Sequence, residues 1–140
     1  MVVRLLLVLA LAMGAASAGS APAAPVDDSS VPAADAVRFS AALEKAKGGD
    51  GEAMQEVGVA YDDGDGVAED DAEALRWFRR GAEAGNLNSM RSVGVMYANG
   101  RGVKADFTEA LRWYRMAAEG GNPAALNEVG YAYVHGEGVA

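Results

Sequence analysis

The sequence predicts an all-α solenoid, in which pairs of helices stack along a common axis. The first observation is an internal repeat: a Gly-x-Gly-Val segment begins at residues 64, 100 and 136, which are 36 residues apart. The second is that each unit contains two segments with the apolar spacing of amphipathic helices. The third is that 140 residues, 51% of them hydrophobic, suit one domain.

The N-terminal segment, residues 1–18, is typical of a signal peptide. Arg4 supplies a positive charge, residues 5–13 are apolar, and the Ala-Ser-Ala of residues 16–18 fits a cleavage site. The apolar run is shorter than the roughly 20 residues that cross a bilayer, so cleavage is favoured over an uncleaved anchor. We therefore expect an exported chain that begins at Gly19 and resides in the periplasm or outside the cell.

Charge and cysteine content exclude several functions. Residues 1–18 carry one arginine and no acid, so their removal changes the net charge from −8 to −9. An acidic chain of this kind is a poor partner for nucleic acid. The chain has no cysteine, which excludes a disulfide framework, thiol catalysis and cysteine-ligated zinc. Helix packing must therefore hold the fold together.

The rest of the chain divides into a linker and the parts of a solenoid. Residues 19–31 are rich in Ala, Pro, Ser and Asp and are expected to form a flexible linker. The solenoid is predicted over residues 32–140, as a half-repeat 32–48, full repeats 49–84 and 85–120, and an incomplete repeat 121–140. The half-repeat is expected to be a divergent second-type helix that caps the array.

Each unit is predicted to contain a first and a second helix. First helices are predicted near residues 52–62, 87–98 and 123–134, and second helices near residues 71–84 and 107–119. Asp50, Asn86 and Asn122 are good N-caps for the first helices. Asp70 and Glu73 have the spacing of a capping box on the second helix, in which each side chain bonds the other residue's backbone amide.

Glycine and aromatic residues recur at fixed places in the unit and are predicted to be structural. They are Gly58, Tyr61, Gly64, Gly66, Trp77, Gly94, Tyr97, Gly100, Gly102, Trp113, Gly130 and Tyr133. A glycine inside a helix costs about 1 kcal/mol relative to alanine, so the glycines at positions 58, 94 and 130 predict the close approach of a neighbouring helix. The two tryptophans are expected to be buried.

The motifs of the second unit carry a family resemblance. They read Val93-Gly94-x-x-Tyr97, Gly100-x-Gly102-Val103, Asp106-x-x-x-Ala110-x-x-Trp113-Tyr114 and Ala117-Ala118-x-x-Gly121. With the 36-residue period, they resemble the Sel-one-like repeat (SLR) family of the tetratricopeptide-like helical repeat superfamily. The resemblance covers residues 50–140. It implies a right-handed α/α superhelix of antiparallel helix pairs, whose first helices line a concave face that receives partners.

The resemblance also implies an adaptor or scaffold rather than an enzyme. Some cysteine-rich secreted members are described as binding or hydrolysing β-lactams, but in that branch a disulfide links the two helices of each pair.

The acidic run at residues 62–71 departs from a calcium-binding EF-hand, because Val67 and Ala68 stand at the fifth and sixth positions counted from Asp63. A lone histidine, His135, makes neither a metal site nor a Ser-His-Asp array. We therefore expect no enzymatic activity, no metal and no cofactor.

The positions that change between units are the candidates for partner binding, because a repeat fixes its core and leaves its groove free to vary. On the first helices these positions, all expected to be exposed, are Glu52, Gln55, Glu56, Asn88, Arg91, Ser92, Asn127 and Glu128. The leading hypothesis is an exported adaptor or scaffold that binds a protein or peptide along the concave face. The alternatives are a β-lactam-binding or hydrolysing enzyme and an envelope component that binds cell wall or polysaccharide.

The last predicted helix lacks the second helix that would pack against it, because the sequence stops at Ala140. Leu126, Val129 and Tyr133 are therefore expected to lack packing partners. We expect either that the chain is a fragment or that its C-terminal end docks on another molecule or self-associates.

Overall fold

A computed structural model describes residues 32–139, and the predicted signal peptide and linker lie outside these residues. The described part forms six helices and no strand, which confirms the all-α prediction. The helices are α1 (Ala33–Lys47), α2 (Gly51–Asp63), α3 (Asp71–Glu83), α4 (Leu87–Asn99), α5 (Phe107–Glu119) and α6 (Pro123–His135). None of these helices has the length and apolar content needed to cross a membrane.

Each helix packs mainly against the helices that precede and follow it. The first helices of consecutive units also meet, as α2 and α4 do. Two small clusters form the core. One joins α1, α2 and α3 through Ala42, Ala46, Ala53, Val57 and Trp77. The other joins α3 and α4 through Ala74, Leu75, Phe78, Val93 and Met96. Because each second helix contacts the first helices on both sides, the units stack into one array.

The predicted N-caps begin the first helices. The Asp50 carboxylate accepts hydrogen bonds from the backbone amides of Glu52 and Ala53, at 3.0 and 3.1 Å. The Asn86 and Asn122 side chains each accept one from the third residue of their helices. These bonds satisfy amides that a helix leaves without an internal partner, so the sequence itself defines where α2, α4 and α6 start.

Of the two hydrogen bonds in the capping box predicted for the second helix, only one forms. The Asp70 carboxylate accepts a hydrogen bond from the Glu73 amide at 3.0 Å, as predicted. The Asp70 amide, however, donates to the carbonyl oxygen of Tyr61 at 2.8 Å, and the Glu73 carboxylate pairs with Arg76. The second unit repeats the amide-to-carbonyl bond one period later. This bond ties the start of the second helix to the end of the first and closes the Gly-x-Gly-Val loop.

The second glycine of that loop packs against the neighbouring unit. Gly102 has a φ of 66°, in the left-handed region, and a Cβ on it would lie 2.5 Å from the carbonyl oxygen of Asp71. Gly66 occupies the equivalent place against α1. Only glycine satisfies both the backbone conformation and the close approach, which explains why the motif requires it.

Glycines inside the first helices make room for aromatic rings of the second helices. A Cβ on Gly58 would overlap with the ring of Phe78, and a Cβ on Gly94 would lie 2.6 Å from the ring of Tyr114. The predicted close approach is therefore confirmed at both positions. It is wrong for Gly130, where a Cβ would meet nothing within 4 Å. The reason is that no second helix follows α6 among the described residues.

The two tryptophans differ in burial, although both were expected to be buried. Trp77 is only 7% exposed and belongs to the cluster that joins α1, α2 and α3. The Arg80 guanidinium lies 4.9 Å from the centre of its ring and covers it. Trp113 is only partly buried and packs at the edge of the second cluster, and the position equivalent to Arg80 holds Met116. The expected burial is therefore nearly complete for Trp77 and only partial for Trp113.

The two ends of the described array differ in polarity. On α1, the positions equivalent to the buried Ala74 and Gly81 hold Arg38 and Lys45, both exposed. An outer surface of this kind suits a terminal capping element. On α6, by contrast, the expected exposure of apolar residues is present: Leu126 and Tyr133 are more than half exposed, and Val134 is 81% exposed. Val129 remains partly buried.

Candidate functional site

The eight candidate binding residues lie on α2, α4 and α6, and we call the surface that carries them the first-helix face. Four of them are exposed, as expected: Glu52, Glu56, Asn88 and Asn127. The other four are only partly exposed, contrary to expectation: Gln55, Arg91, Ser92 and Glu128. The second group lies between consecutive first helices and bonds across the gap, as the exposed Asn88 also does by accepting a hydrogen bond from Asn122.

These cross-helix bonds follow the repeat. The Gln55 amide donates to the Ser92 hydroxyl at 3.1 Å, and the Arg91 guanidinium lies 2.8 Å from the Glu128 carboxylate. Arg91 stands one period after Gln55, and Glu128 stands one period after Ser92. The same pair of positions therefore links α2 to α4 with neutral groups and α4 to α6 with an ion pair. A change of residue at these positions therefore affects how the units stack. The same side chains are also partly exposed and can contact a partner.

A further polar contact joins the first two units. The Arg101 guanidinium lies 2.7 Å from the carboxylate of Asp62 and 2.9 Å from that of Asp71. Burial raises the pKa of Asp62, although Arg101 acts in the opposite direction. Sequence reasoning missed this clamp because the acidic run at residues 62–71 was weighed only as a calcium site, and the arginine that neutralises it belongs to the next unit. The available signal was that an arginine replaces Asp65 one period after an acidic run.

A pocket of about 420 Å³ opens at the next boundary, between α4, α5 and α6. We call it the α4–α6 pocket. Its walls combine aromatic and acidic groups, chiefly Phe107, Tyr114, Tyr131, Glu128 and Glu137. Burial, followed by the charge of Glu128, raises the pKa of Tyr114 to about 12, whereas Arg91 acts to lower it. None of the aromatic residues was among the candidates, because those were the polar positions of the first helices that change between units.

A second pocket of similar volume, about 420 Å³, lies between α1 and α2. It is lined by the apolar residues Phe39, Ala42, Val59 and Ala60 and by the polar or charged residues Asp35, Arg38, Gln55, Glu56 and Asp65. The corresponding surface of a later unit is covered by the preceding first helix. No such helix precedes α1 in the described part of the chain, so this groove lacks one wall.

The described residues contain no group of three or more His, Cys, Asp and Glu side chains placed to hold a metal ion. The His135 ring stacks on Tyr131, with ring centres 3.9 Å apart, and its Nδ1 lies 2.9 Å from the Tyr131 carbonyl oxygen. These contacts place the histidine at the end of α6.

Comparison with known proteins assigns the family. The Sel1 repeat profile matches residues 51–86, 87–122 and 123–140. No curated protein matches the chain. A protective antigen present in uropathogenic Escherichia coli strains, whose crystal structure displays an SLR fold, shares 40% sequence identity with this chain. The two structures superpose with a TM-score of 0.72. That match covers 74% of this chain and 22% of the antigen.

Two further structures share the fold. A Sel1 repeat protein from Oxalobacter formigenes is 31% identical with a TM-score of 0.69, over 75% of this chain and 43% of that one. Cysteine-rich protein B of Helicobacter pylori, at 18% identity and a TM-score of 0.61, covers 64% and 67% of the two chains and shares the fold alone. The chain thus spans less than half the length of the first two structures. With three tandem profile matches over more than half of its length, the chain belongs to the Sel1 repeat family.

Proposed function

We propose that this protein is an exported scaffold that binds a protein or peptide along its first-helix face. The Sel1 repeat fold suggests a protein-interaction scaffold and implies binding of a protein partner. The observation that carries the proposal is a polar surface shared by three consecutive first helices, whose side chains change from unit to unit while core residues such as Val57 and Val93, or Leu75 and Leu111, recur. The exposed positions of this surface, Glu52, Glu56, Asn88 and Asn127, can vary for recognition.

The charge of this face favours a positively charged partner. Its exposed acids Glu52 and Glu56 have no ion pair within 4.0 Å among the described residues, whereas Arg91 is paired with Glu128. The neighbouring Arg101 is held by two carboxylates of its own chain. The arginines are thus neutralised internally while acids remain available, so complementary charge would steer a basic segment to this surface.

Export is part of the proposal and rests on the N-terminal segment. Its positive residue, apolar run and small-residue site fit cleavage before Gly19. The similar E. coli protein is a protective antigen, which is in keeping with a location outside the cytoplasm. Expression of the full sequence in a bacterium, followed by fractionation and mass spectrometry, tests the point. A chain starting at Gly19 in the envelope or medium is expected, and an intact N-terminus in the cytoplasm would contradict export.

Partner binding is tested by capture from a bacterial envelope extract, with the exported form as bait and mild crosslinking. A Glu52→Lys, Glu56→Lys double variant reverses two charges on the first-helix face. A Glu83→Lys, Glu119→Lys variant makes the same charge change at exposed positions on second helices. We expect the face variant to retain at most a tenth of the partner captured by the unmodified chain, and the control variant to retain all of it. Equal losses, or no partner on a folded bait, would refute the proposal.

A further inference from the structure

The boundary between units has the same architecture each time, and its contents can be compared position by position. At the α2–α4 boundary the space is filled from within the chain. Met96 is 1% exposed there, and Arg101 spans the two carboxylates of Asp62 and Asp71. A cation of the chain itself thus occupies this site, held by two acids.

At the α4–α6 boundary the corresponding residues no longer fill the space. Ala132 stands in the place of Met96, Ala98 in that of Asp62 and Glu137 in that of Arg101. Loss of the methionine side chain and of the arginine clamp leaves the α4–α6 pocket of about 420 Å³. This volume lies within the range of roughly 300 to 1,000 Å³ typical of ligand pockets. The pocket is therefore produced by specific replacements rather than by loose packing.

The walls of this pocket have the chemistry of a cation site. Phe107 and Tyr131 are 45% and 54% exposed, and the Glu137 carboxylate has no ion pair within 4.0 Å among the described residues. The only cationic side chain in the lining, Arg91, is already paired with Glu128 at 2.8 Å. Aromatic faces and an uncompensated carboxylate attract a cation and repel an anion.

The charged groups of the pocket also affect the pKa of the buried Tyr114 hydroxyl. Burial is the main cause of its raised pKa, and Glu128 and Glu137 both add to the increase while Arg91 opposes it. Two carboxylates and one guanidinium therefore act on one point in the pocket wall.

We propose that the α4–α6 pocket binds the side chain of an arginine or lysine residue of the partner polypeptide. The inference rests on the proposed function and identifies the part of the first-helix face that anchors the partner. The chain already uses this mode of contact internally: the Arg79 guanidinium lies 5.7 Å from the centre of the Tyr97 ring, and that of Arg115 lies 5.3 Å from the centre of the Tyr133 ring. In the pocket, the cation would lie next to Glu137 and against the rings of Phe107 and Tyr131, one face of the Tyr131 ring being covered by His135.

The probes are three tripeptides with acetylated N-termini and amidated C-termini, Gly-Arg-Gly, Gly-Leu-Gly and Gly-Glu-Gly. Each is titrated into the ¹⁵N-labelled chain, expressed from its full sequence and purified in the form that the cell exports. We expect saturable shifts at Phe107, Tyr131 and Glu137 with the arginine peptide only, and weaker binding at higher salt. Equal shifts with the leucine peptide, or shifts confined to other residues, would overturn the proposal.

Two variants test the geometry. Ala132→Met restores the side chain that fills the preceding boundary and is expected to abolish binding of the arginine peptide, while Glu137→Gln is expected to weaken it about tenfold. Ala41→Met makes the same substitution at an exposed site on α1 and should leave affinity unchanged. Because methionine is native at the equivalent position, a folded Ala132→Met chain is expected. Unchanged binding by that variant would overturn the assignment.

The outcomes separate this inference from the proposed function. A partner captured equally well by the unmodified chain and by Ala132→Met would leave the scaffold proposal intact and refute the cation pocket. Loss of the partner in the Glu52→Lys, Glu56→Lys variant without any effect of Ala132→Met would place recognition on the N-terminal half of the face. Absence of any partner, together with specific binding of the arginine peptide, would refute the scaffold and leave the pocket without a physiological role.

Discussion

The ring of Phe78 lies so close to the backbone of Gly58 that a single added carbon at this glycine would overlap with it. Tyr114 and Gly94 repeat the relationship one unit later, whereas Gly130 faces open space. Helix glycine is unfavourable by itself, so its presence at the first two positions reflects packing. The same substitution, glycine to alanine, can therefore be made at equivalent sites where opposite effects on stability are expected.

Gly58→Ala is expected to destabilise the protein by about 1 to 3 kcal/mol, because the buried Phe78 ring has no room to move aside. Gly130→Ala should instead stabilise α6 by up to about 1 kcal/mol through helix propensity, since no neighbour opposes the added carbon. Urea unfolding followed by circular dichroism measures both free energies. A loss of stability at Gly130 equal to that at Gly58 would show that another helix covers α6.

Trp77→Ala is expected to cost about 3 to 5 kcal/mol, because it empties a site in the cluster that joins three helices. Trp113→Ala should cost less, since part of that ring already faces solvent and its removal leaves a smaller cavity. Thermal and urea unfolding of the two variants provide the comparison. The interpretation of Trp77 as the main anchor fails if Trp113→Ala proves the more damaging change.

Arg101→Gln is expected to destabilise the protein at neutral pH by about 1 kcal/mol, since it leaves the partly buried Asp62 without its cation. Burial already holds the pKa of Asp62 above its ordinary value, and loss of the guanidinium raises this pKa further. A raised folded-state pKa favours folding when the carboxyl is protonated, and that contribution is lost as pH rises through it. The defect should therefore shrink as the pH is lowered through the pKa of Asp62.

The control for this prediction is Asp62→Asn, which removes the titrating group. In the double variant with Arg101→Gln, the pH-dependent part of the defect should disappear. Urea unfolding at a series of pH values, with NMR titration of the Asp62 carboxyl, supplies the data. A defect that grows on acidification would contradict the dominant role of burial.

Tyr114 gives a second prediction about the pH dependence of stability, this time at alkaline pH. Its pKa of about 12 in the folded protein exceeds the ordinary 10.0, mainly because the hydroxyl is buried. The neutral phenol thus contributes stability that is fully present below pH 10 and is lost as pH rises from about 10 to 12, by about 1 kcal/mol per pH unit. Tyr114→Phe, which copies the equivalent Phe78, should lose stability less steeply over this range. Identical slopes for both proteins would refute the assignment.

Hydrogen exchange is expected to be faster in α6 than in α4. Gly130 contacts nothing across its face, Val134 is largely exposed, and the ion pair of Arg91 with Glu128 is one of the few polar bonds to the preceding unit. Arg91→Gln should accelerate exchange in α6 about two- to fivefold, corresponding to a partly exposed ion pair worth less than 1 kcal/mol. Gln55→Ala, which breaks the analogous link between α2 and α4, should leave exchange in α6 unchanged.

Much of the fold could be predicted from the sequence, because each unit carries its own local signals. Asp50, Asn86 and Asn122 cap helices through bonds to residues two or three positions away, so their effect needs no tertiary context. The 36-residue period then extends one unit to the next. The capping box failed because the Asp70 amide has a competing partner, the Tyr61 carbonyl, which only the closed loop brings near.

The candidate site could be predicted less well. Position within the repeat located the first-helix face, but exposure was wrong for Gln55 and Arg91, because each bonds to the next first helix. The α4–α6 pocket was missed entirely. It depends on replacements at several positions that are distant in sequence, and a volume of this kind arises only when the helices are packed together.

The sequence by itself determined that this chain is an array of helix pairs and where most helices begin and end, because these properties follow from local bonding and from a strict period. Only the tertiary structure decided which polar residues are free and which are paired, since the partner of Arg101 or Arg91 belongs to another unit. It also decided that Gly130 has no neighbour and that the α4–α6 boundary is hollow. Both are properties of the space between helices, which no single segment encodes.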